Sequence, residues 1–145
     1  KKNRNPRQLM TSKVVYHQGL RTTATHLRSG QSIITDAPVD NNGKGEAFSP
    51  TDLMSTSLAS CMMTIMGITA EKNDIDIDGA EAEVLKIMAE NPRRVAGIDI
   101  QMTMPAKPYT EKEKSMLSHA ALTCPVMKSI HPDIVVNLNL IWQDA

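Results

Sequence analysis

Apolar and polar positions change period several times along this chain. Near the start, VVYH (14–17), LRTTATH (20–26) and QSIITD (31–36) are rich in β-branched residues and separated by HQG and RSG turn signals, which predicts three strands. DAPVDNNGKGEAF follows as a loop heavy in Asp, Asn, Gly and Pro. Loops of such length in compact domains are often functional. Ser49-Pro50-Thr51-Asp52 then reads as a helix start, with Ser49 as the N-cap, Pro50 in the first turn and Asp52 at the third helical position. The predicted helix runs to about residue 73 and carries no charge from Leu53 to Ala70.

Beyond it, IDIDGAEAEVLKIMAE (75–90) and VAGIDIQMTMP (95–105) read as two strands joined by an NPRR hairpin turn. Ile98, Ile100, Met102 and Met104 share one face of the second. A helix starts at Thr110 with a capping box to Glu113, and its stripe is Met116, Leu117, Ala120 and Ala121. Pro125 should break it after Thr123 or Cys124 and open a short further helix. DIVVNLNLIWQ closes the chain as a strand. Strands, helix, strands, helix, strand is the order of an α+β fold with helices packed on antiparallel sheet. With no repeat and no linker, residues 1–145 are expected to form one domain.

Composition narrows the function classes. Sixteen basic residues balance sixteen acidic ones, which argues against a nucleic-acid groove or a polybasic membrane surface. One Trp, one Phe and two Tyr leave few stacking platforms for bases. The ten methionines read as flexible core filler, or, more sharply, as a Met-rich ligand surface. The uncharged helix raises the question of a membrane span. Ser55, Thr56, Ser57, Ser60, Thr64 and Thr69 interrupt it, so burial by protein is the simpler reading. Burial on all sides in so small a domain calls for a second subunit, and a homodimer is expected. The basic N-terminal stretch lacks a following apolar region, and two cysteines make no disulfide framework, so the expected compartment is the cytoplasm.

Those two cysteines carry the candidate chemistry. Cys61 sits in the middle of the uncharged helix, where a cysteine can simply act as a small hydrophobe. If reactive, it needs a cation from elsewhere to stabilise its thiolate. Cys124 stands at the N-cap position of the helix opening at Pro125, either as a reachable sulfur or as a buried residue at a kink. No ligand pair has zinc spacing, so no metal is expected. His17, His26, His119 and His131 are scattered, and none is marked as a partner for acyl transfer or hydrolysis by Cys61.

GLRTTATHLRSGQSIITDAP, then GEAFSPTDLMSTSLASCM, then ALTCPV, resemble the OsmC/Ohr family of thiol-dependent peroxidases over nearly the whole chain. The strongest elements are a Cys eleven residues after the helix-opening proline and a second Cys placed before Pro. The resemblance implies an OsmC-like fold, antiparallel sheets around a long buried central helix, in an intertwined homodimer with the active site at the subunit interface. It implies reduction of an organic hydroperoxide by Cys61, resolution by Cys124, thiolate stabilisation by Arg28, and an external dithiol reductant in place of any cofactor. Leu53, Leu58, Met62 and Met66 would then bind the substrate's apolar tail. One position departs: the organic hydroperoxide resistance branch has a glutamate after the proline to pair with the arginine, and here Thr51 stands there, leaving Glu46 or Asp52 as substitutes. The rival expectation is a non-catalytic dimer that binds an apolar small molecule in its interfacial pocket, the cysteines being packing residues.

Overall fold

The computed structural model describes residues 9–143. Its chain divides into two compact units, residues 1–53 and 54–145. The boundary falls within the first turn of the long helix.

The first unit holds β1 (Ser12–His17), β2 (Arg21–His26) and β3 (Ser32–Asp36), an antiparallel meander in sequence order. Thr, Val and Ile suit the pleat, and short turns at Gln18–Leu20 and Leu27–Gly30 fix the register. Both faces of this sheet stay open: Val14 and Ile33 are exposed on one and Val15 and Ile34 on the other, and the side chains buried here are those of Thr35, Asp36 and Ser49. After β3 a single turn of 3-10 helix (Val39–Asn41) folds the Gly-rich loop back on itself. Gly43 has no alternative there, because a Cβ would lie 1.7 Å from the Ala37 carbonyl oxygen. Ser49 and Asp52 cap the helix that follows by exchanging side-chain to backbone hydrogen bonds, each at 3.0 Å.

The second unit contains most of α1 (Pro50–Lys72), then β4 (Glu81–Ala89), β5 (Arg94–Thr103), α2 (Glu111–Leu122), α3 (Pro125–Ser129) and β6 (Val135–Ile141). β5 lies between β4 and β6. β4 pairs with it antiparallel, through the turn at Glu90–Arg93, but β6 runs parallel to it. The expectation of antiparallel sheets therefore needs correction, since this sheet is mixed. The physical reason is the connection: α2 and α3 carry the chain back along the sheet, so the last strand enters in the same direction as β5. β4 is also shorter than predicted, because residues 75–80 form a turn around Gly79 (φ +87°).

The core sits on one face of this sheet. Ile98, Ile100, Met102 and Met104 of β5 and its continuation are almost wholly buried and meet Leu58, Met62 and Met66 of α1 and Leu117 of α2. Full burial of each such side chain contributes about 1.5–3 kcal/mol. Methionines supply four of these eight side chains, which is the core-filler reading. α1 is long and apolar enough to cross a bilayer, yet one of its faces is taken up by this core. Within the chain only that face is covered: Ser57, Ser60, Thr64 and Ile68, spaced three or four apart, face outward.

Candidate functional site: a thiol pair and a clamped guanidinium

The second unit brings two sulfurs together from positions 63 residues apart in the chain. Cys61 lies midway along α1, half-buried at the border between the core-facing and outward stripes. Cys124 arrives by a different route. Its own extended backbone (φ −68°, ψ 154°) follows the end of α2 at Thr123, and Pro125, with φ preset for a first helical turn, starts α3 immediately after it. That makes Cys124 the N-cap of α3, its Sγ accepting a hydrogen bond from the Met127 N–H at 3.5 Å. The same geometry aims the sulfur inward, where it is fully buried.

Both thiols are free and adjacent. Burial pushes the Cys124 thiol up from its ordinary pKa, because a thiolate loses solvation there. The Met127 and Val126 N–H groups act in the opposite direction, and the Cys61 sulfur beside it raises it further. Cys124 is thus held in the protonated form at neutral pH. Two free neighbouring thiols can interconvert with a disulfide, provided an oxidant takes two electrons and a reductant returns them.

The residues expected to bind an apolar tail are placed differently from one another. Leu58, Met62 and Met66 have no exposed surface and belong to the packed core, whereas Leu53 is half-buried in the first unit. Ile65, one turn beyond Cys61, and Met54, two turns before it, are half-buried against the core and share the stripe of Cys61. The histidine rings have other partners: His17 bonds Thr23, His26 bonds Ser29, and His131 accepts from the Asp133 N–H. His119 is exposed on α2. Among the described residues no group of His, Cys, Asp and Glu has the geometry to hold a metal ion.

The first unit contains a second constellation. Arg21, at the start of β2, lies opposite Asp36 at the end of β3. Its Nε and Nη2 donate to the two carboxylate oxygens of Asp36 at 2.7 and 2.8 Å, a bidentate pair. Nη2 also donates to Glu46 at 3.2 Å, and the Glu46 N–H donates to Asp36 at 3.2 Å. Asp36 is 1% exposed, Arg21 32% and Glu46 63%. The guanidinium beside it holds the Asp36 carboxyl below the usual carboxylate range, against the opposing effect of burial. Asp36 in turn holds the Arg21 guanidinium more firmly protonated.

Glu46 is therefore bound to Arg21. Arg28, the arginine singled out by the resemblance, lies exposed in the turn between β2 and β3. The Asp52 carboxylate accepts from the Ser49 N–H and so caps α1, while Thr51 makes a 3.2 Å hydroxyl contact with Ser49. Sequence reasoning missed Arg21 and Asp36. The signal was there: a hairpin centred on LRSG pairs residue 22 with 35 and, by the same count, 21 with 36.

Comparison with known proteins adds the family. The pattern described as OsmC-like protein matches residues 43–139. A solved structure from Psychrobacter arcticus 273-4, proposed to be an osmotic stress induced and detoxification response protein, is 55% identical. It matches with a TM-score of 0.88 over 92% of this chain and 97% of that one. The organic hydroperoxide resistance protein OsmC from Legionella pneumophila is 17% identical, with a TM-score of 0.69 over 93% of this chain and 99% of its own. The organic hydroperoxide resistance protein OhrB of Bacillus subtilis is 21% identical, with a TM-score of 0.64 over 92% and 99%. At these lower identities the likeness is one of fold. No curated protein matches the sequence. On the family pattern and the 55% identical structure, the chain belongs to the OsmC-like family.

Proposed function

We propose that this protein reduces organic hydroperoxides with its two cysteines. The observation that carries the reading is the proximity of the Cys61 and Cys124 thiols, one half-exposed and the other sealed in the core. The Cys61 thiolate attacks one oxygen of ROOH, the O–O bond breaks, and the alkoxide takes a proton and leaves as ROH. Cys61 is left as a sulfenic acid. Cys124 condenses with it, forming the Cys61–Cys124 disulfide and releasing water. An external dithiol then reduces the disulfide, becoming a disulfide itself. A reducing compartment such as the cytoplasm supplies that reductant.

The resemblance calls for a guanidinium that favours the thiolate and donates to the peroxide. Arg28 occupies the motif position and lies exposed in its turn, whereas Arg21 is the arginine of fixed orientation within the first unit. We also propose a homodimer. The uncharged outer stripe of α1 and the open apolar faces of the first sheet are the surfaces that a second copy would cover. Sedimentation at the single-chain mass of 15.9 kDa would remove the dimer.

The test is consumption of tert-butyl hydroperoxide coupled to a dithiol reductant, compared with a monothiol. The native chain should turn over with the dithiol, and Cys61→Ser should abolish it. Undiminished turnover by Cys61→Ser would refute the assignment. Binding of an apolar molecule without any peroxide consumption would favour the non-catalytic reading instead.

A further inference from the structure

We propose that the external dithiol attacks the sulfur of Cys61, so that the mixed disulfide forms on Cys61 and Cys124 is the sulfur that leaves. This inference rests on the redox reading above and adds the direction in which the disulfide is reopened. A disulfide has two sulfurs, and which one is attacked depends on access and on the pKa of the leaving thiol. Here the two point in opposite directions, so their relative weight decides.

Access separates the two sulfurs. Cys124 has no exposed surface and belongs to the core cluster that contains Leu58, Met62, Leu117 and Ala121. It is also fixed in place. Its carbonyl accepts from the Lys128 N–H at 3.2 Å, and its Sγ accepts from the Met127 N–H at 3.5 Å. Val126, Met127 and Ile130 pack α3 against the core around it. Cys61, by contrast, is half-buried at the edge of that core. A thiolate attacks in line with the S–S bond, from the side away from the leaving sulfur. At Cys61 that line starts outside the core, whereas at Cys124 it would run through packed side chains. The groups that seal Cys124 belong to its own chain, so the difference holds whether or not a second copy is bound.

Leaving-group chemistry works the other way. Burial raises the pKa of the Cys124 thiol, and a more basic sulfur leaves more slowly. The Met127 N–H offsets part of this, because it already points at the sulfur that must take up the electron pair. Access outweighs the remainder: a slower leaving group lowers a rate, but a sealed sulfur has no line of attack. In this order one reductant thiolate bonds to the Cys61 Sγ, the Cys61–Cys124 bond breaks, and Cys124 departs with the electron pair and takes a proton. The second reductant thiol, as thiolate, attacks the reductant sulfur held in the mixed disulfide, and Cys61 leaves as thiolate. Between these steps the Cys124 thiol stands beside the mixed disulfide and can return to expel the reductant. A dithiol outruns that return because its second thiol is tethered, while a second monothiol must diffuse in.

The experiment uses the native chain, so no variant need fold. Its Cys61–Cys124 disulfide is made with diamide, which takes two electrons from the thiols without any peroxide. Brief treatment with 2-mercaptoethanol is stopped with acid, the denatured protein is alkylated with N-ethylmaleimide, and its peptides are mapped. The 2-mercaptoethanol adduct should lie on Cys61 and the maleimide on Cys124, exceeding the reverse pattern by about 10-fold or more. Adducts mainly on Cys124, or equally on both, overturn the proposal, as does failure of diamide to link the two cysteines. If the diamide-made disulfide opens at Cys61 but tert-butyl hydroperoxide leaves the native thiols unoxidised, the order of attack stands and the hydroperoxide reading alone fails.

Discussion

At the scale of single residues, the two cysteines are built for different tasks. Cys61 is half-exposed on a helix flank, whereas Cys124 is sealed, capped by Met127 and kept protonated by its burial. Attack on a sulfenic acid needs the Cys124 thiolate, and the fraction of thiolate rises with pH. Disulfide closure in the native chain should therefore accelerate as pH is raised, over a range above that of an ordinary thiol. Stopped-flow fluorescence of the protein mixed with one equivalent of peroxide would follow it, and a closure rate independent of pH would contradict the assignment. The same burial works against alkaline stability. A thiol whose folded pKa is raised contributes stability below its unfolded pKa, and loses that contribution as pH climbs through the folded value. The residue scale is also where sequence reading was least complete. Cys124 as an N-cap could be read from the adjacent proline, because capping is local. Arg21 and Asp36 could not be seen as a pair without the hairpin register, because neither has any local mark of function.

At the scale of elements, local chemistry set most boundaries. The Ser49–Asp52 and Thr110–Glu113 boxes start α1 and α2 where their side chains predict, and Pro125 ends the α2 region as expected. What failed was long-range. The direction of β6 depends on how α2 and α3 return the chain, which hydrophobic periodicity does not encode. Leu58, Met62 and Met66 are apolar and near Cys61 in sequence, and helical geometry turns them onto β5. Their role in packing gives a prediction. Leu58→Ala should lower stability by about 2–5 kcal/mol, as for cavities in a closed core. Urea denaturation measures this directly. A cost well below about 1 kcal/mol would mean that Leu58 borders open space in solution, as a ligand-lining residue would.

At the scale of the whole molecule, the family was legible from the order of its motifs. The resemblance also implied the pairing of the distant thiols, and the fold places Cys124 near Cys61. The second unit supplies the core that positions both sulfurs. Apolar side chains left open in the first unit and the uncharged outer stripe of α1 fit the proposed second copy, a feature the charge-free helix already suggested. The central claim is that one chain's two thiols act as a single redox unit. Its most direct test is to treat the fully reduced protein with one equivalent of tert-butyl hydroperoxide, without reductant, and then count thiols and map peptides. The account predicts loss of both thiols, release of one tert-butanol, and a Cys61–Cys124 link within a single chain of 15.9 kDa. Two surviving thiols, with the oxidant consumed only by methionines or left unspent, would contradict it.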